Sequence, residues 1–576
     1  MNRTLKRIAV VFSGLCIFSA LAVPPGALVD HFLPPAYQQY HRQMVWGLWL
    51  LKVMLAINGI LYLALPRVLD KLFAVKSGAS TIPFVRPSLA EWCGLAAVTS
   101  LATIIRCWNI GMGFTIDEHT IAETGIEKPF LHFLMRTEQY RAFYTLLARI
   151  SYSLLGKSEV AARMPALIAG IASVPALYFL VRRWLNPGAA LASALVLALS
   201  TFHSWYSQCA TAYSLAFLFI LLSLWFLEEA LADDSLGSWL KWTACVFLAV
   251  LSHMEVAGVV LAGQALYLAW QVLRGRAPAG QLFRFLTCAV YAVMACAIVF
   301  APPFFMYSTM LAGLITSSGQ HWVETMPRGT VSGQLFVLGQ WLVGAYAPWP
   351  LQIACIGLAI LGLMILIRRH ANLVAYLLTP TLLYWALFST GLIRVTTQRY
   401  SMFTLIPLIV FLGVALSAPI CWLQSVLQRR VLALAGIVGC AVVWALFAVT
   451  ACWSLSVYLQ SDRTTIRTAI EFVRAHKVPG EVAWFDGWAY DEFKYYYPEL
   501  QRVETAEGLR LLLEQDNEIW LIYFEEHYLE RLPLDVKDEL LRRTDLVQEF
   551  QGLPEQDPDP ALTVVRHLPR KGNVKK

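Results

Sequence analysis

The chain has 576 residues, of which 58% are hydrophobic and only 14% are Asp, Glu, Lys or Arg. Soluble proteins carry roughly a quarter charged residues, so a single soluble globule is excluded. Charge also divides the chain: residues 456–576 hold 23 acidic and 16 basic side chains, the preceding 455 hold 15 and 29, and the net charge of +7 is a sum of opposites rather than a nucleic-acid footprint.

Thirteen apolar runs near the bilayer-crossing length follow one another at about 8–29, 45–66, 89–107, 160–181, 188–204, 210–230, 239–254, 255–273, 284–306, 350–368, 373–392, 402–423 and 431–455. Prolines 24–25, 187, 302–303, 348 and 350 punctuate their ends, where a missing N–H does least harm. With the N-terminus in the cytoplasm, alternate loops collect Arg3, Lys6 and Arg7; Arg67, Lys71, Lys76 and Arg86; Arg182 and Arg183; Lys241; Arg274, Arg276 and Arg284; Arg368 and Arg369; and Arg429 and Arg430. The short loops opposite hold Arg42, Arg328, Arg394 and Arg399, a positive-inside pattern. An odd number of spans then puts the acidic tail outside the cytoplasm. The first run, with Lys6-Arg7 before it and Ala20-Leu21-Ala22 at its end, also fits a cleavable signal peptide; the orientation of the rest is the same either way.

Two outer regions are too long for turns. Residues 108–159 carry Asp117, Glu118, Glu123, Glu127 and Glu138 among amphipathic aromatic stretches suited to the interface. Residues 308–349 carry His321, Trp322, Glu324 and Arg328, with a short apolar stretch at 332–346 that fits a re-entrant segment. The tail alternates helical and strand-like patterns: "TTIRTAIEFVRAH", "EVAWFD", "EGLRLLLEQ", "EIWLIYF", "DVKDELLRR" and an edge strand "ALTVVRHL". That predicts a small α/β domain with a mostly parallel sheet and no Gly-rich phosphate loop. The organisation expected is two spans and a cytoplasmic loop over 1–88, a membrane body over 89–455, and a soluble outer domain over 456–576. All eleven cysteines precede residue 453 without a CxxC pair, so neither a disulfide framework nor structural zinc is supported.

The sharpest local feature is "GFTIDEHTIAE", residues 113–123, where Asp117, Glu118 and His119 follow a span on the outer face. Thr115-x-x-Glu118 fits a capping box that opens a helix at 116, and a capped helix also holds Asp117 rigidly, so a structural and a catalytic reading stand together. Other outer candidates are His253 and Glu255 in "LSHMEVAG", and Arg394 and Arg399-Tyr400 in "GLIRVTTQRYSMF". Such residues are either snorkelling anchors or site residues; positive-inside bias alone does not put Arg399 there.

The outer Asp-Glu, then "LLGKSEVAARMPALIAG" (154–170), "YSQCATAYSL" (206–215), "LSHMEVAG" and "TQRYSMFTLIPL" occur in an order that resembles the GT-C membrane glycosyltransferases of the protein-O-mannosyltransferase-like group, glycosyltransferase family 39, which includes the aminoarabinose transferase of lipid A. The resemblance covers roughly 89–455. It implies a polytopic helical membrane enzyme of the plasma (bacterial inner) membrane that takes a sugar from a polyprenyl-phosphate carrier and gives it to a lipid, glycan or protein. By the same resemblance Asp117 is the catalytic carboxylate and Arg399 sits by the donor phosphate; Glu118 and Tyr400 stand beside them as further candidates, and His119, His253, Glu255 and Glu138 make up the candidate substrate or metal neighbourhood, with Mg or Mn the ions expected if one is used. Two departures stand out. Many relatives read "YSQEARPYSL" where this chain has Cys209 and Thr211, and a "hPPLYY"-like stretch is replaced around "EQYRAFYTL" (138–146). Two competing readings remain: an inactive scaffold that has lost that Glu and Arg, and a transporter or flippase, against which no internal repeat is evident and span interiors are almost free of charge.

Overall fold

The computed structural model describes residues 3–22, 25–26, 29, 41–73, 86–127, 141–305, 346–389, 398–426, 430–460, 465–477, 482–486, 490–503, 505–514, 519–524, 532–551 and 562–568. Glu138, Arg394 and nearly all of the outer region 308–349 lie outside the described residues, so the re-entrant segment expected there is not among the elements below.

Each apolar run is helical over most of its described length. Nine helices among the described residues are long and apolar enough to cross a membrane, or ten if the bent pair Pro187–Leu199 and Thr201–Ser207 is one span, so the expected thirteen is not reached on this measure. Two reasons are visible. The runs at 350–368 and 373–392 join into one helix, Trp349–Ser389, broken only at His370, where φ −141° and ψ 50° leave the helical region. Leu236–Ser252 has only 17 residues, short of a bilayer's thickness.

Within hydrocarbon each peptide group must be satisfied inside its own helix, so the ends carry the sequence signals. Ser88, Ser158, Asn186, Ser200 and Ser235 each cap a helix by accepting the N–H three residues on. Ser200 does so at the bend of 63° that separates Pro187–Leu199 from Thr201–Ser207. The body packs through small residues: a methyl at Gly170 would overlap Ser207, which brings helix Glu159–Trp184 directly against Thr201–Ser207. That contact sits beneath the site.

Between Ile466 and Leu568 the described residues build a five-stranded sheet with helices beside it. The strands are β1 Val482–Asp486, β2 Gln501–Val503, β3 Ile519–Phe524, β4 Asp545–Gln551 and β5 Leu562–Leu568, in the order β2-β1-β3-β5-β4. β1 pairs in parallel with β2 and β3, whereas β5 runs antiparallel to both β3 and β4. The sheet is therefore mixed, where a mostly parallel one was expected. β5 is not the edge strand predicted, because its buried Val564 and Val565 suit an inner position; the edge on that side is β4, whose polar alternation DLVQEFQ hid it.

Candidate active site

The span Leu89–Cys107 ends in a turn that uses Asn109 at φ 53°, a left-handed position asparagine tolerates. After the turn Thr115 caps a six-residue helix, Ile116–Ile121, and the full capping box forms: the Glu118 N–H donates to Thr115 Oγ1, and the Thr115 N–H donates to Glu118 Oε2 at 2.9 Å. The sequence pattern is thus realised. What it did not disclose is the partner beneath.

Arg163, one turn inside helix Glu159–Trp184, grips Glu118 with two parallel bonds, Nε to Oε1 and Nη2 to Oε2, both 2.7 Å. Its remaining N–H groups donate to the carbonyls of Ile110 (2.8 Å), Met112 (2.5 Å) and Gly113 (2.7 Å). The Ala210 N–H adds a further bond to Glu118 Oε1. Both side chains are essentially inaccessible, Glu118 at 0% and Arg163 at 1%. All the guanidinium donors are committed, and so are both carboxylate oxygens. Glu118 is a structural clamp in this geometry, with no lone pair turned toward a substrate.

The neighbouring Asp117 lies at the second residue of the clamped helix; its side chain is outside the described residues. His119 is buried and meets the Tyr495 ring edge-on at 5.1 Å. Tyr144, from helix Ala142–Leu155, donates its hydroxyl to Ala162 O at 2.7 Å. Burial, and then the Glu118 charge, hold its phenol well above the ordinary range, so it stays a neutral donor.

A second group gathers nearby. Arg141, at the start of helix Ala142–Leu155, donates to Tyr213 Oη at 3.4 Å and lies over that ring at 5.5 Å. Tyr213 in turn faces His253 at 5.2 Å between ring centres. Glu255, two residues on, lines an apolar cavity of about 420 Å³ with Met54, Met254, Cys296 and Phe300. The backbone of the Arg399-Tyr400 pair is a short 3₁₀ helix, Gln398–Thr404, packed against helices Tyr213–Asp233 and Met254–Leu273. The side chains of Arg399 and Tyr400 are outside the described residues.

One short segment joins the two groups: the Ala210 N–H reaches Glu118, and Tyr213, three residues on, meets Arg141. Cys209 and Thr211, where many relatives have Glu and Arg, are both buried in that segment. So Asp117, Glu118 and His119 share one element, His253 and Glu255 another, and the segment 210–213 links them. Arg163 and Arg141 were missed in the sequence; the available signal was an arginine within a turn of the start of an apolar helix, which needs a partner there. Among the described residues no three His, Cys, Asp or Glu side chains converge as metal ligands.

Residues 143–307, the stretch that holds Arg163, the 210–213 link, His253 and Glu255, match the family described as dolichyl-phosphate-mannose-protein mannosyltransferase. That match spans less than a third of the chain. Among solved structures similar to this chain, ArnT from Cupriavidus metallidurans bound to undecaprenyl phosphate is 15% identical, over 83% of this chain and 98% of that one, with a TM-score of 0.46. The archaeal oligosaccharyltransferase AglB from Archaeoglobus fulgidus, in complex with an inhibitory peptide and a dolichol-phosphate, is 12% identical over 76% and 69%, also at 0.46. The arabinosyltransferase EmbB from Mycobacterium smegmatis is 14% identical over 75% and 45%, at 0.40. No curated protein matches the chain.

Proposed function

We propose that the protein transfers a sugar from a polyprenyl-phosphate carrier to an acceptor hydroxyl at the non-cytoplasmic membrane face, with inversion at the anomeric carbon. The observation that carries the reading is the cavity of about 420 Å³: it is apolar, lies among membrane helices, and has Glu255 in its wall beside the Arg141–Tyr213–His253 group. An isoprenoid tail stays in hydrocarbon while its phosphate seeks cations and hydrogen-bond donors, and this juxtaposition offers both.

The chemistry asks little covalent work of the protein. The acceptor oxygen attacks the anomeric carbon as the bond from that carbon to the phosphate oxygen breaks; the proton goes to a carboxylate and the electron pair leaves with the phosphate. Phosphate needs no general acid if cations hold its growing charge, and arginine does so best in a dry site. Arg399 and Arg141 are the candidates for that role. Asp117 is the general base, a contribution of about 10²–10⁴-fold. A single displacement puts base and leaving group on opposite faces of the sugar, which is why inversion follows. The described residues bring no three His, Cys, Asp or Glu ligands together, so no step here is routed through Mg or Mn.

The test is Asp117→Asn, assayed in detergent as release of polyprenyl phosphate from a panel of polyprenyl-phosphate sugars with added acceptor. Turnover should fall at least about a hundredfold while the protein stays folded. Near-normal turnover removes Asp117 from the mechanism, and absence of transfer by the unaltered protein with every donor removes the function.

A further inference from the structure

Residues 110–115 form no regular structure, yet their peptide groups are held one by one. Arg163 takes the carbonyls of Ile110, Met112 and Gly113, and Glu118 takes the Thr115 N–H. The two groups between come from the C-terminal domain. Arg467 donates to Gly111 O at 3.3 Å, and the Phe114 N–H donates to Tyr496 Oη at 2.6 Å. The Tyr496 hydroxyl donates to Glu159 Oε1 at 3.2 Å, and Arg467 approaches the same oxygen at 3.5 Å. Glu159 and Arg163 stand one turn apart on one helix, so both anchors of the segment share a base. Tyr496 is itself braced, its carbonyl accepting from Arg474 Nη2 at 2.5 Å, and the adjoining Tyr495 covers His119 and Phe114 with its ring.

We propose that the C-terminal domain is a working part of the site rather than an appended module: Tyr496 and Arg467 are positioning residues that fix the segment carrying Thr115 and thereby the Asp117 helix. The claim about activity rests on the transfer reading above; the claim about position does not. Without its tyrosine hydroxyl the Phe114 N–H has lost the acceptor that its partly buried setting supplies, and the helix cap at Thr115 follows directly behind it. A misplacement of about 1 Å at a catalytic group can lower a rate about a hundredfold, so a modest loosening here is visible in turnover.

The experiment uses the full-length protein in detergent with Tyr496→Phe, the double variant Tyr496→Phe/Arg467→Gln, and Arg510→Gln as a control that breaks only exposed pairs inside the tail, with Glu507 and Asp535. Hydrogen exchange is followed by mass spectrometry. The Phe114 amide should exchange at least about tenfold faster in both Tyr496 variants, with the Thr115 amide behind it also loosened, while helix Tyr213–Asp233 keeps wild-type protection. In the transfer assay, kcat should drop about tenfold with KM for the polyprenyl-phosphate sugar within about twofold, and Arg510→Gln should match wild type. Wild-type exchange at Phe114 in the double variant overturns the proposal, as does exchange that rises equally throughout the body. Should unaltered protein transfer no sugar, the exchange result still decides whether the tail positions this segment.

Discussion

Glu118→Gln exchanges one carboxylate oxygen for an NH₂ group without changing size. In the native site Oε1 receives Arg163 Nε and the Ala210 N–H, and Oε2 receives Arg163 Nη2 and the Thr115 N–H. Whichever way the amide turns, two donors that met an oxygen now meet another donor. The guanidinium, at 1% exposure, also loses its counter-ion. Breaking a buried pair by removing one partner costs about 3–5 kcal/mol, a third or more of a typical folding free energy. At the lower bound that shifts the local equilibrium toward the open form about 150-fold. Purified variants heated in detergent and run on gel filtration should show Glu118→Gln losing its monodisperse fraction many degrees below wild type. Arg163→Met combined with Glu118→Leu should recover part of the loss, because no charge is then left buried; the carbonyls of Ile110, Met112 and Gly113 stay orphaned and prevent full recovery. If Glu118→Gln is as heat-resistant as wild type yet inactive, Glu118 acts in the chemistry and the clamp argument is wrong.

Arg399→Ala should cost about ten- to a hundredfold in use of the lipid-linked sugar, the worth of one charge-assisted contact, with Arg399→Lys in between and Arg394→Ala near wild type; identical behaviour of the two alanine variants, with donor dependence unchanged, makes Arg399 an interfacial anchor. A reporter fused after Lys576 should lie outside the cytoplasm and one within 274–284 inside, and a cytoplasmic C-terminus overturns the orientation on which every outer residue depends. Burial, reinforced by the charges of Glu127 and Glu159, pushes the Tyr495 phenol from the ordinary 10.0 up to about 12. The raised value favours the neutral ring in the folded state, so its contribution to docking is complete below about pH 10 and is lost as pH climbs toward 12. The tyrosinate absorbance that Tyr495→Phe removes should therefore titrate well above pH 10, and a midpoint at the ordinary value shows Tyr495 undocked.

The helices were legible because hydrophobic length is a local property, as were the caps at Ser158 and Thr115, whose partners lie three residues away. Their number was less so: a break at a single residue, His370, is decided by packing rather than by composition. In the tail, β5 was found but misplaced, since strand order depends on which neighbours cover Val564 and Val565. The site shows the same division. Asp117 and Glu118 were picked out as a pair, and nothing local separates them; only Arg163, 45 residues on, commits one of the two to structure. Tyr496 was invisible for the same reason, its partner Phe114 lying 382 residues earlier.

That last separation has a consequence for biosynthesis. Residues 110–118 are synthesised before helix Glu159–Trp184 delivers Arg163, and the fasteners Arg467 and Tyr496 follow 356 and 382 residues after the groups they hold. Until then Gly111 O and the Phe114 N–H have only water or lipid headgroups to bond. Maturation is thereby ordered in time: the first-made segment is the last to be locked, and until the residues around Arg467 and Tyr496 have folded it lacks two of its fasteners.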